Sequence, residues 1–177
     1  SQSIYTLKIY RDAVREYTLL SNDTYAVTKC DDCEEIIIPE FYNNKAVTEI
    51  GENGFSNLSV KIISIGSNVA SIGKSAFYNC NSLQYNRYEN GLYLGNEINP
   101  YIVLVQAKSR DITSCTINEK SKLIYNSAFY NCNGLTSVTI PDSVTSIGDQ
   151  AFQECYSLAS VTIGNSVTSI GYHAFAS

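Results

Sequence analysis

The sequence of 177 residues has no tryptophan, no methionine and one histidine, His173. Catalysis by a histidine with a serine or cysteine needs a second group placed to activate it, and no such group is positioned beside His173. The carboxylates are also spread thinly, apart from a small acidic group near Asp31, Asp32 and Glu52 that is typical of a solvated surface. We therefore expect no enzymatic activity and no cofactor.

Basic residues and long apolar runs are scarce as well. Twelve Lys and Arg residues against 17 Asp and Glu residues give a net charge of -5, which argues against nucleic-acid binding. No apolar run approaches the length of a membrane span. Because the sequence lacks an initiator methionine, we expect that a signal peptide or another N-terminal segment has been left out of it.

The sequence does contain a repeat. LTSVTIPDSVTSIGDQAFQEC (Leu135 to Cys155) is followed by LASVTIGNSVTSIGYHAFAS (Leu158 to Ser177), with matching positions 23 residues apart. A repeat of this period predicts a solenoid, in which each unit buries its apolar face only against its neighbours. We count about six units over residues 35–177, the last one cut short, and one irregular unit at residues 83–111 in which the spacing rises from 23 to 29.

Each unit combines two extended segments and a turn. Val138 and Ile140 alternate with hydroxylic residues, which predicts a short strand with one buried face. In the second short extended or irregular segment, Gly148 permits a positive φ, which would allow the chain to turn back. The pair Ala151 and Phe152 should point inward, so that equivalent Phe rings stack about 4.8 Å apart in a column.

The run LxxVxIPxSVTxIGxxAFxxC resembles the leucine-rich repeats of BspA-like surface proteins of anaerobic bacteria and some mucosal protozoa. The resemblance covers roughly residues 35–177. It implies a right-handed leucine-rich-repeat superhelix. It also implies a secreted or surface-anchored, non-enzymatic protein that contacts an extracellular or host protein.

Residues 1–34 are expected to form an N-terminal cap, and this stretch is also similar to the caps of BspA-like proteins. Two β-rich runs around Ser21, Asn22 and Asp23 predict a hairpin over residues 17–29. Residues 1–16 fit a helical stripe and an alternating strand equally well. At the other end the last unit has no cover, so we expect a fragment of a longer array that is monomeric or self-associates weakly through this unit.

The cysteines fall into two groups. Cys80, Cys132 and Cys155 share one repeat position and Cys115 lies on the inward side of a strand, so we expect buried, reduced thiols (Cys80, Cys115, Cys132 and Cys155). Cys30 and Cys33 are separated by two aspartates. A zinc site would need two further ligands, which the sequence does not offer nearby. This pair is either a local disulfide or two thiols in a loop.

The irregular unit is the candidate binding region. Insertions in solenoids tend to protrude on one face, and aromatic and guanidinium groups are enriched at interface hot spots. We therefore predict a ligand-binding surface formed by Tyr85, Arg87, Tyr88, Tyr93 and Tyr101. The expected function is adhesion or protein recognition at a cell surface. Glycan binding through these tyrosines and a purely structural spacer remain as alternatives.

Overall fold

The computed structural model describes residues 13–177, so that most of the segment 1–16, for which two conformations were predicted, lies outside the described residues. The described part consists of strands and turns, without a helix. The strands are β1 (Val14–Leu19), β2 (Tyr25–Cys30), β3 (Glu35–Ile37), β4 (Phe41–Tyr42), β5 (Lys45–Ile50), β6 (Ile62–Ser64), β7 (Ser71–Ile72), β8 (Asn86–Tyr88), β9 (Gly91–Leu94), β10 (Val103–Ala107), β11 (Leu123–Ile124), β12 (Ser137–Ile140), β13 (Ser146–Ile147), β14 (Ser160–Ile163) and β15 (Ser169–Ile170).

The N-terminal hairpin is the antiparallel pair β1 and β2, which begins three residues earlier than predicted, at Val14. On its other edge β2 pairs in parallel with β5, and β5 pairs in parallel with β7. The hairpin therefore covers the hydrogen-bonding edge of the first repeat unit.

Regular units contribute two parallel strands each. The longer strands β12 and β14 pair in register from Ser137↔Ser160 to Ile140↔Ile163, and β3 pairs with β6 in the same way. In β12 the side chains alternate between exposed and buried, as the period-two pattern predicts. The short strands β11, β13 and β15 form the second row, in parallel register.

A turn segment closes each regular unit and carries the inward Phe. The rings of Phe129 and Phe152 stack at 4.8 Å, and those of Phe152 and Phe175 at 5.1 Å. Phe55 and Phe77 stack at 5.7 Å in the N-terminal half. The predicted Phe column is confirmed within each half of the solenoid.

The repeat glycine has a different purpose from the one predicted. No glycine in the described chain has a positive φ; the left-handed conformation lies two residues after the repeat glycine, for example at Gln150 (φ 58°). A Cβ on Gly148 would lie 2.5 Å from Asn126 Oδ1 and 2.6 Å from the Asn126 backbone nitrogen. Glycine is needed because consecutive units approach each other too closely for any side chain, and the positive-φ prediction was wrong.

The repeat cysteines are buried, as predicted, and they also donate hydrogen bonds. The Cys80 thiol donates to the Phe55 carbonyl at 2.8 Å, and the Cys155 thiol donates to the Phe129 carbonyl at 3.0 Å. Burial raises the pKa of Cys155 to about 11 and that of Cys115 to about 12. The thiols of Cys80 and Cys155 therefore each bind a carbonyl of the preceding unit in their protonated form.

The irregular unit replaces the repeat with an antiparallel meander. β8 pairs with β9 and β9 with β10, and only then does β10 rejoin the parallel row by pairing with β11. The buried side chains consequently form two clusters, one mainly before and one mainly after the meander. The solenoid therefore has two halves, and no regular turn segment lies between the turn segments of one half and those of the other.

Two long side chains reach across this interruption. Tyr125 occupies the position of the repeat glycine, and its hydroxyl accepts a hydrogen bond from the Ala76 N–H at 3.0 Å and donates one to the Gly73 carbonyl at 2.9 Å. Lys122 Nζ donates to the Ser67 carbonyl at 3.0 Å. A side chain fits at position 125 because no regular turn segment lies beside it.

Candidate functional site

Tyr93, one of the five residues predicted to bind a ligand, is completely buried. Its hydroxyl accepts a hydrogen bond from the Asn118 N–H at 3.2 Å, and its ring lies edge-on to Tyr101, 5.4 Å away. Burial raises its pKa well above the usual range. A side chain in this position cannot contact a partner, so the inclusion of Tyr93 in the binding surface was wrong; it fills the core beneath the meander.

The other four residues do not form one surface. Tyr88 and Tyr101 are half-buried and pack against each other, with ring centroids 5.6 Å apart. Tyr85 is half-buried against the N-terminal core, and burial raises its pKa. Arg87 is exposed on β8, the outermost strand of the meander. Tyr85 and Arg87 remain accessible, whereas Tyr88 and Tyr101 mainly cover the core.

A large depression lies beside Tyr85. This isoleucine groove has a volume of about 870 Å³; its floor is the sheet formed by β3 and β6, and its wall is the loop that follows β9. The loop is held in place because Ile65 N–H donates to the Gly95 carbonyl at 2.9 Å and Asn96 Nδ2 donates to the Ile65 carbonyl at 2.8 Å. The groove is therefore built by the meander and the regular strands together.

The surface of this groove is apolar with an acidic edge. Ile37 and Ile62 on its floor are 44% and 45% exposed, and Ile98 on its wall is 90% exposed. The charged residues that line it are all acidic: Glu35, Glu40 and Glu97. Contiguous exposed apolar surface with a polar rim is typical of a protein contact site.

Sequence reasoning identified one part of this groove. Alternation along β6 places Ile62 on the outward face, and an apolar side chain at an outward position indicates a contact surface. Ile37 follows from the same alternation within β3. Ile98 lies in the inserted loop, where no repeat position indicates whether a side chain is buried.

The described residues contain no cluster of three or more histidine, cysteine or acidic side chains that could hold a metal ion. His173 is exposed beside the Tyr172 ring, with centroids 3.8 Å apart. All six cysteines, Cys30 and Cys33 included, carry thiols. The Cys33 thiol donates to the Glu35 carbonyl at 3.0 Å.

Within residues 13–177 there is also no helix that could span a bilayer.

Comparison with known proteins agrees with this architecture. No curated protein matches the chain. A leucine-rich-repeat protein of Treponema pallidum matches with a TM-score of 0.50 and 23% identity, covering 92% of this chain and 64% of the other. A leucine-rich cell surface protein of Faecalibacterium prausnitzii A2-165 matches with a TM-score of 0.51 and 30% identity, covering 94% and 45%. The chain thus spans less than two thirds of either protein.

The repeat itself gives the most specific match. The family model for the BspA-type leucine-rich-repeat region matches six copies, over residues 15–99 and 106–177. The break between the two matched ranges falls within the loop before β10 and the first part of that strand, where the meander returns to the parallel row. Parallel strand rows, stacked Phe rings and close glycine contacts are the structural counterparts of the matched repeat. The chain belongs to the BspA-type leucine-rich-repeat family.

Proposed function

We propose that this chain is a protein-recognition module displayed at a cell surface, and that the isoleucine groove is its contact site. The family assignment and the likeness to a leucine-rich cell surface protein support the surface location. The observation that carries the proposal is the exposure of Ile37, Ile62 and Ile98 around one depression. Burying such side chains against a partner contributes a favourable transfer free energy of about 25 cal/mol per Å² of apolar surface.

The chemistry of the groove defines the partner. Because its lining residues carry carboxylates and no basic group, the partner is a protein segment with apolar side chains flanked by lysine or arginine. Tyr85 also lines the groove, and Arg87 lies on the adjacent strand β8. Of the five residues of the predicted ligand-binding surface, these two belong to the proposed site.

Glycan binding has less support. Sugar-binding aromatic residues present a ring face to the ligand, whereas Tyr88 and Tyr101 pack against each other and against the core. Competition with soluble glycans separates the two functions, since sugars should displace a glycan-binding module and leave a protein complex intact. A structural spacer would show no binding in either assay.

The test measures binding to a panel of purified extracellular-matrix proteins by surface plasmon resonance. We expect Ile62→Ser and Ile98→Ser each to weaken binding at least tenfold, and Tyr85→Ala/Arg87→Ala to weaken it to a smaller extent. The matched control is Ile170→Ser, since Ile170 is 51% exposed and lies outside the groove. Equal affinity of all variants, or an equal loss in the control, would show that the groove is not the contact site.

A further inference from the structure

The turn segments of regular units are joined by a ladder of backbone hydrogen bonds. In each segment two residues of positive φ lie four positions apart, for example Ser127 (φ 58°) and Asn131 (φ 60°), and the N–H groups of these two residues and of the Phe midway between them point toward the following unit. They donate to its carbonyls at 2.7–3.0 Å: Asn53 to Lys74, Phe55 to Ala76, Asn57 to Tyr78, Ser127 to Asp149, Phe129 to Ala151, Asn131 to Gln153, Gln150 to Tyr172, Phe152 to Ala174 and Glu154 to Ala176.

Among the segments that precede another unit, one has the donors of this ladder but no regular turn segment beside it to accept them. In the turn segment from Gly73 to Cys80 the equivalent donors are the N–H groups of Ser75, Phe77 and Asn79, and none of the three has an acceptor among the described residues. The reason is the irregular unit, which comes next in the chain and forms a meander instead of a turn segment. Two of these residues, Ser75 and Phe77, line a cleft between the two halves of the solenoid.

On the opposite side of the cleft, carbonyl groups of the next regular turn segment already accept hydrogen bonds from the protein. The Ala128 carbonyl accepts from the Ala107 N–H at 2.8 Å. Arg110 Nη1 donates to the Tyr130 carbonyl at 2.7 Å and lies 3.5 Å from the Ser127 carbonyl. One wall thus offers N–H groups, whereas in the next regular turn segment the carbonyls of Ser127, Ala128 and Tyr130 already accept hydrogen bonds from the protein itself. A ligand in the cleft must supply hydrogen-bond acceptors.

The cleft also has an aromatic wall and a surplus of positive charge. It has a volume of about 570 Å³, and the half-buried Phe77 lines it together with Tyr125, whose ring lies edge-on to Phe77 at 5.1 Å. Lys74 and Arg110 line it as cations, against one carboxylate, Asp149. Asp149 Oδ1 accepts a hydrogen bond from the Tyr172 N–H at 2.7 Å. The charge balance favours an anionic ligand.

We propose that this inter-unit cleft binds an extended, carboxylate-bearing peptide segment of a partner protein. Backbone N–H groups that point into one concavity bind anions, and peptide carboxylates are captured in this way. The N–H groups of Ser75 and Phe77 donate to carboxylate or carbonyl oxygens of the segment, and an apolar side chain of the segment packs on the Phe77 ring. This cleft adjoins the isoleucine groove, since Tyr85 lines both, but it takes a partner of opposite charge.

The experiment is an amide NMR titration of the ¹⁵N-labelled chain with an end-blocked hexapeptide of alternating glutamate and valine. We expect saturable shifts of the Ser75 and Phe77 amides, and slower hydrogen exchange at both, while Phe129 and Phe152 stay unchanged. The same peptide with glutamine in place of glutamate should bind at least fivefold more weakly. Lys74→Glu should weaken binding at least fivefold.

Two variants serve as controls. Lys108→Glu alters an exposed lysine that does not line the cleft, and it should change the affinity less than twofold. Ile62→Ser should leave the hexapeptide affinity unchanged, so that failure at the groove and failure at the cleft are distinguishable. The inference is overturned if millimolar peptide leaves the Ser75 and Phe77 amides unshifted, if the glutamine peptide binds equally well, or if Lys74→Glu binds as tightly as the parent chain.

Discussion

Replacing Tyr125 by glycine restores the residue that the repeat favours at this position, and yet we expect it to destabilise the protein. The ring of Tyr125 lies edge-on to Phe77 at 5.1 Å and occupies space that a regular turn segment would otherwise fill. Truncating a packed aromatic side chain costs about 3–5 kcal/mol. Because Tyr125 is half-buried, we expect the free energy of unfolding to fall by an amount near the lower end of this range.

The hydroxyl group can be tested separately. Tyr125→Phe keeps the ring but removes the bond accepted from the Ala76 N–H and the bond donated to the Gly73 carbonyl. At about 0.5–1.5 kcal/mol for each net hydrogen bond, the loss should be about 1–3 kcal/mol. Tyr125→Phe should therefore be less damaging than Tyr125→Gly.

The reciprocal substitution is Gly148→Ala. Its Cβ would lie 2.6 Å from the Asn126 backbone nitrogen, where neither partner can move without disturbing the ladder. Overpacking of this kind costs about 1–3 kcal/mol. The same repeat position thus requires glycine in one unit and tolerates a large ring in another.

The assay is urea unfolding followed by circular dichroism and tyrosine fluorescence, whose coincidence checks that a single transition is being measured. We expect the stability order parent, Tyr125→Phe, Tyr125→Gly. If Tyr125→Gly were as stable as the parent chain or more so, the repeat preference alone would govern the position, and the idea that the ring bridges the two halves would be refuted.

Three further outcomes are expected. Since burial raises the pKa of Tyr125 to about 12 from the ordinary value near 10, its unfolded form loses the proton first, and stability should decrease as the pH rises from about 10 to 12; an alkaline unfolding series that is flat there would contradict this. Cys33, half-exposed, should react with a thiol reagent in the native protein, whereas buried Cys115 should react only on unfolding; mass spectrometry of labelled peptides distinguishes them. Phe152→Ala should cost about 3–5 kcal/mol, and Ser137→Ala, on the exposed strand face, under about 0.5 kcal/mol; equal losses in urea would mean that the two faces are reversed.

In the irregular unit, the position of a side chain in the structure differs most clearly from the position that its sequence context predicts. Tyr93 belongs to an aromatic-rich insertion, and residues of this type are enriched at binding surfaces, but it is completely buried. Arg110 carries no motif, and its role in covering the Tyr130 carbonyl depends on how the meander turns back. No repeat position exists for either residue, so the sequence provides no register from which burial could be inferred.

The regular units were determined by the sequence alone. A period of 23 residues, alternation in the strand, and an inward Phe are local or strictly repeated features, and stacking converts each of them into a column without reference to anything distant. Hence the solenoid, the hairpin and the buried thiols followed from the pattern. The reason for the repeat glycine did not, because the approach of Gly148 to Asn126 is a distance between units and not a property of either one.

The candidate sites were decided by the tertiary structure. Both the isoleucine groove and the inter-unit cleft arise where the meander interrupts the stacking, and each combines residues from units far apart in sequence, such as Ile62 with Ile98 and Phe77 with Tyr125. Backbone donors such as the Phe77 N–H become available only because the next unit does not form the expected turn. A repeat pattern predicts the conformation and the contacts of a unit whose neighbour is regular. The contacts at an irregular unit are determined only by the folded chain.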